Sequence, residues 1–284
     1  MIRRVAATLL GLAAVAALPV AAAGPALTVT PAVIRQGGTA EVVVTGVMAA
    51  WVRIRFAGRV WPLRRAGGVW RGFVGTDPLT APGVRRLVVE APVASGMPQP
   101  AVAAVRVLRV AFPTRRITLA PDRRGLLDPR LAQEEGRIVA AALRVLRPDP
   151  LWRAPFRLPV RGIVASPYGV ISVYQGQMRG FHHGVDLAAP MGTPVYAAND
   201  GIVALAEKLP LSGNAVLIDH GMGIVTSYLH QSALLVRRGQ RVSRGQRIGR
   251  VGSTGLSTGP HLHWGMRIYG VHVDPMPWIT RSAP

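Results

Sequence analysis

The sequence contains no cysteine, which excludes a disulfide framework, a thiolate zinc knuckle and a lipid-modified N-terminal cysteine. It has a single lysine, Lys208, among 34 basic residues, and only 13 acidic ones, giving a formal charge of +21. After the first two dozen residues no apolar run is long enough to span a bilayer. No histidine occurs before residue 151, although the chain holds seven. There is no HExxH glutamate, no glycine cluster with the spacing and context of a phosphate loop, and no long internal repeat.

The N-terminus has the layout of a secretory signal peptide over residues 1–23. Arg3 and Arg4 precede an apolar run from Val5 to Leu18, and Ala21–Ala23 supplies a small-residue cleavage site. The expected mature protein is exported, to the periplasm or cell envelope, with no transmembrane anchor. Its charge of about +19 favours polyanionic surroundings. The arginines are scattered as pairs such as Arg64-Arg65 and Arg237-Arg238. That pattern suits a solvated basic surface with weak attraction to anionic envelope polymers and points to no specific nucleic acid.

High apolar content with 32 glycines and 24 prolines predicts a mainly β protein. Residues 24–111 carry short apolar runs, among them Ala40–Thr45, Trp51–Phe56, Val69–Val74 and Arg86–Glu90. Turn signals separate them, as expected of an Ig-like β-sandwich. This segment has no histidine and no carboxylate cluster, so its expected role is positioning or docking. Residues 112–150 form a linker with one helix from Asp128 to Leu146. Asp128 caps it, Pro129 opens it, and Leu131, Ile138, Val139, Ala142, Leu143 and Leu146 form its stripe. Residues 151–284 hold every histidine and are expected to be the chemical domain, an antiparallel β-sheet.

Two stretches there carry the metal-capable side chains. In FHHGVDLAAP an extended chain puts His182, Gly184 and Asp186 on one side, with Gly184 leaving the space between imidazole and carboxylate free. In GPHLHWG the same period puts His261 and His263 on one face. A hairpin is predicted over Asn214–Gln231, with its turn at Asp219–Gly223. Its second strand, Ile224–His230, puts Tyr228 and His230 on one face and His230 at the strand end. His182, Asp186, His230, His261 and His263 exceed the three protein ligands of a catalytic zinc, and surplus histidines suit proton transfer. His183 reads as exposed or peripheral, His220 as structural in a turn, and His272 as local packing.

SPYG (Ser166–Gly169), HHGVDLAAPMGTPVYAANDGIV (His182–Val203), DHGMGIVTSYLH (Asp219–His230), VSRGQRIGRVGSTG (Val242–Gly255) and GPHLHWG (Gly259–Gly265) occur in one order. In this the sequence resembles the M23 (lysostaphin/LytM-type) zinc metallopeptidases over roughly residues 155 to 280. Its N-terminal part is similar, more weakly, to Gram-negative members. The resemblance implies that His182, Asp186 and His263 bind one Zn2+ and that His230 and His261 flank the reacting water and carbonyl. It also implies an antiparallel sheet with a groove, to which Tyr228 and Trp264 are assigned, and hydrolysis of peptide bonds in peptidoglycan, stem-peptide cross-links in particular. Lacking an HExxH glutamate, the site would take its general base from the two flanking histidines. Gly169 is followed by Val170 and Ile171 where many relatives carry an arginine. Gln231 stands where a leucine usually follows the histidine, and both changes bear on the groove wall. The alternatives are a non-catalytic activator of another cell-wall hydrolase and an exported polyanion binder with a passive peptidase scaffold.

Overall fold

A computed structural model describes residues 25–92, 101–119, 121–144, 147–174 and 176–281. The expected signal peptide lies outside the described residues, as does Leu146. The protein is mostly β, as its composition suggested.

The N-terminal part forms two sheets. One runs Ala26–Thr30, Thr39–Thr45, Val69–Gly75, Arg64–Ala66; the other runs Val33–Arg35, Val102–Leu108, Gly83–Glu90, Arg53–Phe56, Arg59–Pro62. Alternation drives both. Val42 and Val44 on one and Ile54, Leu87, Val89, Val105 and Val107 on the other belong to a single buried cluster. That cluster continues into the C-terminal part. Phe73 packs edge-on to Trp278 at 5.0 Å between ring centres, and Trp61 meets Tyr269 at 6.5 Å. The Asp274 amide donates to the Gly37 carbonyl at 2.8 Å. The two parts thus share an apolar seam.

The connector is more than a helix. Thr114–Ile117 pairs in parallel with Ile171–Tyr174, and a 3-10 turn covers Pro121–Leu127. The one α-helix among the described residues, Pro129–Ala142, is capped by the Asp128 side chain, which accepts from the Arg130 amide at 2.9 Å. Its stripe of Ile138, Val139, Ala142 and Leu143 covers Leu205, Leu209, Ala215, Leu217 and Val225.

The C-terminal sheet has eight strands. Seven follow the order Ile163–Ser166, Gly184–Ala188, His261–Ile268, Ile224–Gln231, Gly213–Gly221, Gly201–Leu209, Arg241–Val242, and Val271–Val273 adds to His261–Ile268. Antiparallel register sets Gly184 opposite Gly265, Asp186 opposite His263 and Ala188 opposite His261. Residues directly opposite share a face. One face of the central strand carries His261, His263, Gly265 and Arg267; the other carries Leu262, Trp264, Met266 and Ile268, all fully buried. The expected hairpin forms with a tighter turn. Its strands run to Gly221 and from Ile224, leaving Met222 and Gly223 as a two-residue turn with φ of 52° and 73°. His220 therefore lies in a strand, not in the turn.

Candidate metal centre

Three side chains converge on the open face of this sheet. Asp186 and His263 face each other across neighbouring strands, so pairing alone brings Asp186 Oδ1 and His263 Nδ1 to 3.1 Å. His182 sits just before its strand, fixed by backbone hydrogen bonds to Gly169 and Val170 at 2.8 Å each. From there its Nε2 comes within 2.9 Å of both Asp186 Oδ1 and His263 Nδ1. His182 Nδ1 donates to the Pro167 carbonyl at 2.8 Å, within the SPYG stretch, which leaves an unprotonated Nε2 facing the other two atoms.

Three acceptor atoms at such spacing repel unless a proton or a cation lies between them. Four ligands placed tetrahedrally about zinc at 2.0–2.2 Å stand roughly 3.3 Å apart, so the donor set and its triangle fit that ion closely. Gly184 is required here. A Cβ on it would lie 2.7 Å from His263 Nε2 and would strike the Trp264 carbonyl. Burial pushes the Asp186 carboxyl upward, but the facing imidazoles of His182 and His263 outweigh it and hold the group well below the usual range. Desolvation is also the main cause that lowers His263.

Two more histidines flank the triad. His261 Nε2 lies 3.6 Å from Asp186 Oδ1, and its Nδ1 donates to the Gly259 carbonyl at 2.8 Å. His230 is 5.0 Å from His261 and 6.2 Å from His263 between ring centres, and its Nδ1 donates to the Thr254 carbonyl at 2.8 Å. Its arrival here requires a break in the strand. Strict alternation would bury it beside Tyr228 on the core face. Instead the register slips between Asn214 and Val216 of the paired strand, and His230 takes φ 64°, turning its ring to the site face. Desolvation, then the neighbouring His261 and His263, lower its pKa to about 3. In both flanking rings a carbonyl holds the Nδ1 proton, so each Nε2 is left as an acceptor.

Tyr228 and Trp264 do not line a groove. Both are fully buried on the core face. The Tyr228 hydroxyl accepts from the Ala198 amide at 2.8 Å and meets the Thr226 hydroxyl at 2.9 Å. Gln231 is also buried and donates to the Tyr228 carbonyl, so it does not form groove wall either. His183 is exposed and stacks on His272 at 4.1 Å.

The site opens on a cavity of about 590 Å3 walled by His182, His230 and His263 on the sheet and by Asp128, Pro129 and Glu135 of the helix segment. Sequence reasoning missed this wall. Glu135 accepts the amide protons of Leu211 at 2.7 Å and Ser212 at 3.0 Å, together with the Ser212 hydroxyl. The Ser212 carbonyl in turn accepts the His230 amide at 2.9 Å. Glu135 is adjacent to none of the metal-capable residues in sequence, and only the fold brings it near.

An antiparallel sheet presenting a His–Asp–His group able to hold a metal ion, with two further histidines at its rim, is the arrangement a metallopeptidase needs. Residues 180–275 match the model of Peptidase family M23. Over 95 residues it is 52% identical to the peptidoglycan DD-endopeptidase ShyA of Vibrio cholerae, covering 34% of this chain and 22% of that protein. A DD-carboxypeptidase/endopeptidase, Mpg of Neisseria meningitidis, is 50% identical over 95 residues, with the same coverage of 34% and 22%. The chain therefore matches about a fifth of the length of these curated relatives. A Pseudomonas aeruginosa protein described as a peptidase M23 has a crystal structure that superposes with a TM-score of 0.62. It is 29% identical, covering 86% of this chain and 94% of that one.

Proposed function

We propose that the chain is an exported zinc endopeptidase that hydrolyses peptide bonds of peptidoglycan, with stem-peptide cross-links as its target. One observation carries the reading. His182 Nε2, Asp186 Oδ1 and His263 Nδ1 form a triangle of 2.9 to 3.1 Å edges, open to a cavity that His230 also walls. Zinc held by these three residues would supply Lewis acidity toward a peptide carbonyl and toward water. His230 and His261 carry the proton traffic. An Nε2 acceptor takes the proton that water loses as its oxygen attacks the carbonyl carbon. The same proton passes to the leaving amine as the C–N bond breaks. Export rests on the signal-like N-terminus, and the peptidoglycan substrate on likeness to proteins named as its DD-endopeptidases. The basic surface would keep such an enzyme close to anionic envelope polymer.

The experiment is incubation of purified sacculi with the zinc-loaded chain, followed by mass spectrometry of the released muropeptides. Expected are monomers freed from cross-linked dimers by the wild type and none by His230→Ala or His261→Ala, each with zinc content intact. Binding of zinc and sacculi with no release, or full activity in His230→Ala, would overturn the reading.

A further inference from the structure

Arg267 has no role in the centre described above, yet it stands on the same strand face as His261 and His263, with Gly265 between. It stands four positions along the strand from His263, about 13 Å away. It is the only permanently charged side chain of that strand and is half-buried, and desolvation lowers its pKa. Its Nε donates to His272 Nε2 at 3.1 Å, and His272 is braced by the stacked ring of His183. That bond fixes the guanidinium plane. The two terminal amines have no hydrogen bond or ion pair among the described residues.

The Glu135 carboxylate acts on this guanidinium only through space, with no hydrogen bond between them, so its terminal amines are left for a ligand to complete. Glu135 walls the same cavity. Its oxygens are already occupied by Leu211 and Ser212. Arg267 and His272 wall both the cavity that opens on His182, His230 and His263 and a neighbouring cavity of about 760 Å3. Arg267 thus walls the space that a peptide bound at the His182–Asp186–His263 group would enter. A planar fork of N–H donors matches a carboxylate.

We propose that Arg267 is an anion-recognition residue of the substrate groove, binding a free carboxylate of the peptide a few residues from the bond cleaved. The identity of the ligand as a peptide rests on the peptidase reading; the anion site itself rests on Arg267 and its surroundings. A substrate whose carboxylates are amidated loses this contact and is disfavoured.

The test is calorimetric binding of a cross-linked peptidoglycan peptide dimer to the full-length chain freed of metal by chelation, which prevents turnover. The dimer is used with its carboxylates free or converted to amides. The wild type is expected to bind the free acid roughly 10- to 100-fold more tightly than the amide, the usual scale for a charge-assisted contact. Arg267→Gln is expected to bring that ratio near unity, and Arg267→Lys to keep an intermediate ratio. Equal binding of acid and amide by the wild type, or an unchanged ratio in Arg267→Gln, would overturn the proposal. Should Arg267→Gln not fold, the wild-type ratio and the Lys variant decide between the same outcomes. Hydrolysis by the zinc-loaded chain is scored separately. A preserved acid preference with no hydrolysis contradicts the peptidase reading alone, and hydrolysis with no acid preference contradicts this proposal alone.

Discussion

Acid should destabilise this protein through one buried ring that takes no part in the chemistry. His220 is fully buried in the strand Gly213–Gly221, its Nδ1 donating to the Asp200 carbonyl at 2.7 Å and its Nε2 lying 2.7 Å from the Thr226 hydroxyl. The Phe156 ring packs edge-on to it at 5.0 Å. The neutral tautomer satisfies this setting, with one proton on Nδ1 and an acceptor at Nε2. Burial, the dominant cause, lowers the pKa from 6.5 to about 4. The folded state therefore resists protonation that the unfolded chain accepts, so the stabilising contribution is complete above pH 6.5 and is lost as pH falls toward 4. At 1.36 kcal/mol per unit the full loss is about 3 kcal/mol, with roughly 2.5 kcal/mol of it gone by pH 4.5. Urea unfolding of wild type and His220→Gln at pH 7 and pH 4.5, both metal-free, isolates this group from the other histidines. The stability difference between the two proteins should shrink by about 2.5 kcal/mol on acidification. A difference that is the same at both pH values would refute the argument.

Gly184→Ala should lower zinc affinity at least tenfold in a chelator competition, because the added methyl displaces His263 or the Trp264 carbonyl. Glu135→Gln should lower kcat on cross-linked peptide roughly tenfold while zinc content stays at the wild-type level, since it loosens the Ser212 carbonyl that holds the His230 amide. Phe73→Ala should cost about 3 to 5 kcal/mol in chemical denaturation, because the ring fills the seam against Trp152 and Trp278.

The His–Asp–His group was legible because Asp186 and His263 lie on regular strands, where period-two alternation is reliable, and His182 precedes the first of them by two residues. His182 with Asp186, and His261 with His263, are grouped correctly before any register is known. The pairing of Asp186 with His263 is a matter of tertiary register and required the fold. Alternation failed at His230 because a local register slip and a left-handed backbone reverse the expected face. Its strand neighbour Tyr228 then falls in the core, and Trp264, opposite it, follows. The turn at Met222-Gly223 was drawn too wide because DHG reads as turn chemistry, whereas here Asp219 and His220 make buried hydrogen bonds within a strand. The helix was readable from its cap and stripe, but not the surface it covers. Which face receives Ile138 and Val139, and that Glu135 thereby meets the loop beside His230, depends on long-range packing that leaves no local signal.

The central claim is that His182, Asp186 and His263 hold one divalent cation while His230 and His261 do not. Equilibrium dialysis against zinc with metal analysis, run on the wild type and the five single alanine variants, tests it directly. One zinc per chain is expected for the wild type, His230→Ala and His261→Ala, and less than about a tenth of that for His182→Ala, Asp186→Ala and His263→Ala. Stoichiometric zinc in any of the last three, or its loss from either flanking variant, would contradict it.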